Sequence, residues 1–134
     1  MRHYLLDTHI FIWSIKEPKM LSPQLRDELE DYNNMMYISS ISLMEIAIKN
    51  RDGNLSLGVN YATLVGNIGQ MGIKILNIDN RHLIALNQLS YPETHKDPFD
   101  HLIVSQAITD RLCLISADSK MKYYTWQGLE LLEN

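Results

Sequence analysis

Thiol chemistry is almost missing from this chain. Its one cysteine, Cys113, cannot form an internal disulfide, and its apolar setting, Leu112-Cys113-Leu114-Ile115, suits a buried reduced thiol. A basic surplus is also missing: 12 Lys and Arg stand against 16 Asp and Glu, a formal net charge of -4. That argues against broad nucleic-acid binding through a basic surface, but leaves a local basic groove open. No apolar run approaches the roughly 20 residues of a membrane span, and the N-terminal run is too short for a signal peptide. The expectation is a soluble, cytoplasmic protein with no membrane contact. There is no G-x-G-x-x-G and no Walker loop to cradle a nucleotide. The histidines, His3, His9, His82, His95 and His101, show no zinc spacing, and no Ser or Cys sits in a nucleophile elbow. Repeats, low-complexity tracts and linkers are absent. The 134 residues suffice for one domain with a real core, so residues 1–134 read as a single unit.

Short apolar runs alternating with amphipathic stretches are present instead. Tyr4–Leu6, Met35–Ile38, Ile73–Leu76 and Leu112–Ser116 read as buried strands, with Gly128–Leu132 as a small fifth. Helices are expected over His9–Ile15, from Ser22-Pro23, from Ser39–Ser42 to about Asn50, and over 61–71. Others follow over Asp79–Leu89, from Asp97 to near Arg111, and over Ser119–Tyr124. Ser22-Pro23 and Asp97-Pro98 each set a capping side chain before a proline at the first helical position. Ser42-x-x-Glu45 has the form of a capping box. This alternation predicts an α/β fold with a central, mostly parallel sheet of four to five strands flanked by helices. Ligands of such sheets sit beyond the C-terminal strand ends. Asp7 and Asp118 come straight off such ends, and Glu45 shortly after one.

The stretch from His95 to Ala107 carries the strongest local signal. Counting helical steps from Asp100 gives Ile103, Val104, Ala107 and Ile108, an apolar stripe with a carboxylate at its head. At a helix N-terminus, backbone N–H groups and the helix dipole are expected to hold that acid ionised. Each acid alone has a structural explanation. Asp7, Asp97 and Asp118 can each cap a helix. Glu45 can close a box with Ser42 or pair with Lys49, and Asp100 can reach back to the cap backbone. Together, four acids at one strand-end crevice would repel one another unless a cation intervened. Oxygen-only ligands suit Mg²⁺ or Mn²⁺, and such a site favours phosphoryl or phosphodiester transfer. Lys49, Arg51, Lys96, Lys120 and Lys122 lie near these acids in sequence and are candidates to line a phosphate-backbone groove.

Four blocks appear in order: Leu5-Leu6-Asp7-Thr8-His9, Ser42-Leu43-Met44-Glu45-Ile46-Ala47-Ile48-Lys49, His95-Lys96-Asp97-Pro98-Phe99-Asp100 and Ser116-Ala117-Asp118. From Tyr4 to about Tyr124 the chain resembles the PIN-domain ribonucleases, in particular VapC-type toxins of type II toxin–antitoxin systems. The resemblance implies a Rossmann-like fold and Mg²⁺- or Mn²⁺-dependent endoribonuclease activity on RNA such as tRNA or rRNA. It also implies a cognate antitoxin and a homodimer. Carried over by motif, the acidic catalytic and metal site is Asp7, Glu45, Asp100 and Asp118. Ser116 matches a hydroxyl that supports the last acid, and Asp97 and Thr8 are helpers. Lys49, Arg51 and Lys120 are candidate RNA contacts. Relatives often carry Arg where this chain has His101, and Trp where it has Met44. The alternatives are another Mg²⁺-dependent phosphoryl-transfer enzyme, such as a DNA-directed nuclease or a phosphatase, or a non-catalytic binding module. A haloacid-dehalogenase-type phosphatase would want an acid where His9 stands.

Overall fold

The computed structural model describes residues 1–134. Five strands, β1 (His3–Leu6), β2 (Met35–Ser39), β3 (Ile73–Leu76), β4 (Cys113–Ser116) and β5 (Glu130–Glu133), form one sheet in the order β3-β2-β1-β4-β5. Every pairing is parallel, with Leu6 opposite Ile38 on one side and Ile115 on the other. The expected fifth strand is therefore real and closes the β4 edge. The helices are α1 (Thr8–Lys16), α2 (Pro23–Glu30), α3 (Ser40–Arg51), α4 (Tyr61–Asn67), α5 (Asn80–Gln88) and α6 (Pro98–Asp110).

Side-chain alternation along the strands builds a core on each face of the sheet. Tyr4 and Leu6 pack with Ile10, Phe11, Ile46 and Leu64 on one face. Leu5 and Leu114 pack with Ile103, Val104, Ala107 and Tyr124 on the other. α6 lies so deep that every residue from His101 to Ala107 is buried. It packs against α3 and α5, and the buried His82 of α5 is hydrogen-bonded to Asp110 at 2.9 Å. The chain runs outward from β1 to β2 and β3, then returns to lay β4 on the free edge of β1. That reversal opens a crevice beyond the C-terminal ends of β1 and β4, where parallel sheets hold their ligands.

Three local expectations are corrected. α3 starts at Ser40 with Ser39 as its cap, accepting from the Ile41 N–H at 3.1 Å. Ser42 is thus inside the helix, and no Ser42–Glu45 capping box forms. The helix expected over 61–71 breaks at Ile68 into a 3-10 turn, Gly69–Met71, which Gly72 ends at φ 76. The segment after Asp118 is a longer 3-10 helix, Ser119–Gln127, rather than an α-helix.

Candidate functional site

Asp7 follows β1 directly and caps α1, so strand and helix meet at one carboxylate. One oxygen accepts from the Thr8 N–H at 2.8 Å, and the other accepts from the Ser116 hydroxyl at 2.6 Å. Ser116 Oγ also accepts the Asp118 N–H at 3.0 Å. Ser116 therefore ties the ends of β1 and β4 together and supports two acids, where the sequence pattern implied only the last. Asp118 in turn caps the 3-10 helix, accepting from the Lys120 N–H at 2.9 Å.

Glu45 projects from α3, where Lys49 one turn later pairs with it at 2.9 Å. The buried Ser42 accepts the Thr8 hydroxyl at 2.8 Å and fixes α3 against the start of α1. Thr8 thus acts on both sides of the crevice, through its N–H to Asp7 and its hydroxyl to Ser42. Asp97 caps α6 through the Phe99 N–H at 2.9 Å, and Pro98 follows it at the first helical position. Asp100 lies in the first turn of α6, but it does not reach back to the cap. It accepts from His95 Nε2 at 2.8 Å.

These groups line one cavity of about 340 Å³ with no apolar residue in its wall. Asp7, Glu45, Asp100 and Asp118 all border it, as do Asp97 and Thr8. Lys49, Lys96 and Lys120 border it too. Arg51 does not: it lies at the far end of α3, paired with Asp52 at 2.8 Å. Lys122 pairs with Glu133 at 3.4 Å.

The electrostatics of the site are set by burial as much as by the helix. The Asp100 carboxyl is pushed up to about 6, chiefly by burial and then by the charges of Asp7 and Asp97, against the opposing hydrogen bond from His95. The helix N-terminus does not hold it in the ordinary carboxylate range. Asp7 is also raised, again mainly by burial, despite its bonds from Ser116 and Thr8. A buried acid and a partly buried one whose charged forms are disfavoured, beside Glu45 and Asp118, suit a divalent cation. The oxygen-rich donor set fits Mg²⁺ or Mn²⁺.

His95 was missed by the search for zinc spacing. It is buried and borders the cavity, and its ring reaches Asp100 on one side and the Tyr124 hydroxyl, at 2.7 Å, on the other. Burial raises the Tyr124 phenol to about 12, with the Asp100 charge adding, so it keeps its proton. Ligand atoms of His95, Asp100 and Asp118 lie within 4.8 Å of one another. The signal in the sequence was position alone: His95 stands five residues before Asp100, next to the α6 cap. His101, where relatives often have Arg, is buried, bonds the His95 carbonyl at 2.7 Å and packs at a tilt of 34° against Tyr91, 4.4 Å between ring centroids. Met44, where relatives often have Trp, is exposed on α3.

The family model of the PIN domain matches residues 4–126. The chain belongs to the PIN domain family. The five-stranded parallel sheet flanked by helices is the α/β architecture expected of a PIN domain. Among solved structures, DNA-bound VapBC from Salmonella typhimurium superposes with a TM-score of 0.74 at 25% identity, covering 99% of this chain and 98% of that one. VapBC2 from Rickettsia felis, bound to a DNA fragment of its promoter, gives 0.73 at 22% identity, covering 98% of each chain. VapBC-1 from nontypeable Haemophilus influenzae gives 0.67 at 19% identity, covering 98% and 97%. No curated protein matches the chain. No helix of this PIN domain is long and apolar enough to cross a membrane.

Proposed function

We propose that this PIN domain is the toxin of a VapBC-type toxin–antitoxin pair and acts as a divalent-metal-dependent endoribonuclease. The observation that carries the reading is the polar cavity at the β1–β4 switch point. There the strand ends, α3 and α6 supply Asp7, Asp118, Glu45 and Asp100 to one wall. Those four acids would hold Mg²⁺ or Mn²⁺. Such an ion supplies a Lewis acid for a phosphodiester oxygen and a more acidic water. The chain's own contribution is placement. Ser116 fixes Asp7 and the backbone of Asp118, Thr8 fixes α1 to α3, and Lys49, Lys96 and Lys120 bind backbone phosphates at the cavity rim.

The test is cleavage of a structured RNA pool by the purified protein, with end mapping of the products. Mg²⁺ or Mn²⁺ should support cleavage, EDTA should stop it, and Asp7→Asn and Asp118→Asn should each remove it. Attack by water leaves a 5′-phosphate and a 3′-hydroxyl. Products ending in a 2′,3′-cyclic phosphate would refute the mechanism, and cleavage of DNA alone would favour a DNA-directed nuclease.

The VapBC complexes among the structural neighbours support an antitoxin partner. A small apolar dimple of about 10 Å³ is lined by Ile12, Ile15 and Lys16 of α1 and by Leu57, with the buried Phe11, Ile46 and Leu64 at its floor. An extended or helical segment of a small antitoxin would lie there and send a basic side chain among the acids. Co-expression with the neighbouring small gene should yield a complex and relieve growth arrest. Failure of both would remove the antitoxin and leave the nuclease standing.

A further inference from the structure

We propose that His95 is the positioning residue of Asp100, holding one carboxylate oxygen so that the other faces the cavity. The inference rests on the metal-site reading above. His95 belongs to no helix or strand, yet its ring is fixed on both edges. Nδ1 lies 2.7 Å from the Tyr124 hydroxyl, and Nε2 lies 2.8 Å from Asp100 Oδ2. Its carbonyl is held as well, by His101 Nε2 at 2.7 Å. The rings of Tyr124 and His101 pack around it at 5.6 and 5.3 Å between centroids.

The partners dictate where the protons sit. A carboxylate only accepts, so His95 Nε2 carries the hydrogen and donates to Asp100. In the neutral imidazole Nδ1 is then the acceptor, and the Tyr124 hydroxyl donates to it. The chain of bonds runs in one direction, from Tyr124 through the imidazole to Asp100 Oδ2. Asp100 Oδ1 has no hydrogen-bond partner in the protein, although Asp100 borders the cavity. One oxygen is spent on orientation, and the other is left for a ligand.

A competing role is direct ligation, since His95, Asp100 and Asp118 could together surround an ion. Both ring nitrogens of His95 are already engaged. To ligate, the ring would have to give up Asp100 or Tyr124, each at a short hydrogen-bond distance. Positioning uses the bonds as they stand. Partners that orient a ligating group in this way are worth about 10–100-fold in metal affinity.

The experiment measures Mn²⁺ binding to the full chain by calorimetry and by electron spin resonance, with no RNA present. The variants are His95→Ala, His95→Gln and Tyr124→Phe, each first checked for folding by circular dichroism. His95→Ala should weaken Mn²⁺ binding about 10–100-fold. His95→Gln, whose amide N–H can take the place of Nε2–H, should recover most of that loss. Nitrogen-15 NMR of the metal-free wild type should show His95 as a single Nε2–H tautomer, and Tyr124→Phe should keep it, because Asp100 sets it. Spin-echo modulation from a directly bound nitrogen would overturn positioning in favour of ligation. Equal Mn²⁺ affinity in all variants would overturn the role of His95 alone. A wild type that binds no Mn²⁺ would overturn the metal reading and this role with it.

Discussion

Replacing Asp100 by Asn should make the metal-free protein more stable near neutral pH and remove most of its response to Mg²⁺. The carboxyl is raised from 3.8 to about 6, first by burial and then by the charges of Asp7 and Asp97. A group whose folded pKa lies above its unfolded value leaves stability intact below the unfolded pKa. It lowers stability as the pH rises through the folded one. For Asp100 that window runs from about 4 to about 6. At about 1.4 kcal/mol per pKa unit, the full shift is worth roughly 3 kcal/mol. The side chain is 20% exposed, and screening there reduces the figure to about 1–2 kcal/mol. For a domain of this length that is a rise in Tm of about 4–8 °C. Asn keeps an oxygen to accept from His95 Nε2, so the bond at 2.8 Å survives and the comparison isolates the charge.

The assay is thermal melting in EDTA across that pH window, repeated with Mg²⁺ in excess. Wild type and Asp100→Asn should melt together near pH 4 and separate as the pH rises, with the variant higher. Excess Mg²⁺ should then raise the wild type above its own metal-free value by a few kcal/mol, since binding at 100 times Kd adds about 2.7 kcal/mol. The variant should gain much less. A variant that melts at or below wild type near pH 7 in EDTA would show that Asp100 is not strained by its surroundings, and the reasoning from charge crowding would fail.

Ser116→Ala should cost about 2–3 kcal/mol in urea unfolding and weaken Mn²⁺ binding, because it removes the donor to the buried Asp7 and the acceptor for the Asp118 N–H. Arg111 ends α6 at φ 56, a left-handed conformation that glycine adopts without strain. Arg111→Gly should therefore raise stability by about 1 kcal/mol and leave RNA cleavage unchanged, and a loss of stability would contradict this. Ile103→Ala empties a fully buried site in α6 and should cost about 2–5 kcal/mol, read from the same urea curves.

Much of the framework was legible because it is written locally. Asp97-Pro98 announces the start of α6 within two residues, and Ser22-Pro23 does the same for α2. Asp7 and Asp118 could be placed at strand ends because each follows a short apolar run. The misreadings arose where several residues could do the same job. Ser39, Ser40 and Ser42 can all cap a helix. Ser39 was selected by the strand that ends on it, while Ser42 was taken by the Thr8 hydroxyl. The apolar spacing of Leu64, Ile68 and Met71 continues a helix, and nothing in that spacing shows that the ladder tightens to a 3-10 turn at Gly69.

The site divides along the same line. Asp7, Asp100 and Asp118 were found because each sits at or next to an element boundary that the sequence marks, and Glu45, inside α3, through its motif block. What holds them was found only in part: Ser116 and Thr8 were named, but not the bond from Ser116 to Asp7 nor the bond from His95 to Asp100. The upward shift of Asp100 was not legible because a helix N-terminus is visible locally, whereas burial on α6 and the approach of Asp7 depend on the whole fold. Ser116 reaches Asp7 across 109 positions, and Tyr124 reaches His95 across 29. Such pairs leave no periodicity and no motif in a single chain. A histidine search keyed to zinc spacing passes over His95 because its partners are a carboxylate and a phenol rather than other metal-binding side chains. The orienting layer of this PIN domain is therefore a product of topology. β4 returns to the edge of β1 and brings Ser116 to Asp7, and the 3-10 helix that follows it carries Tyr124 to the loop that holds His95.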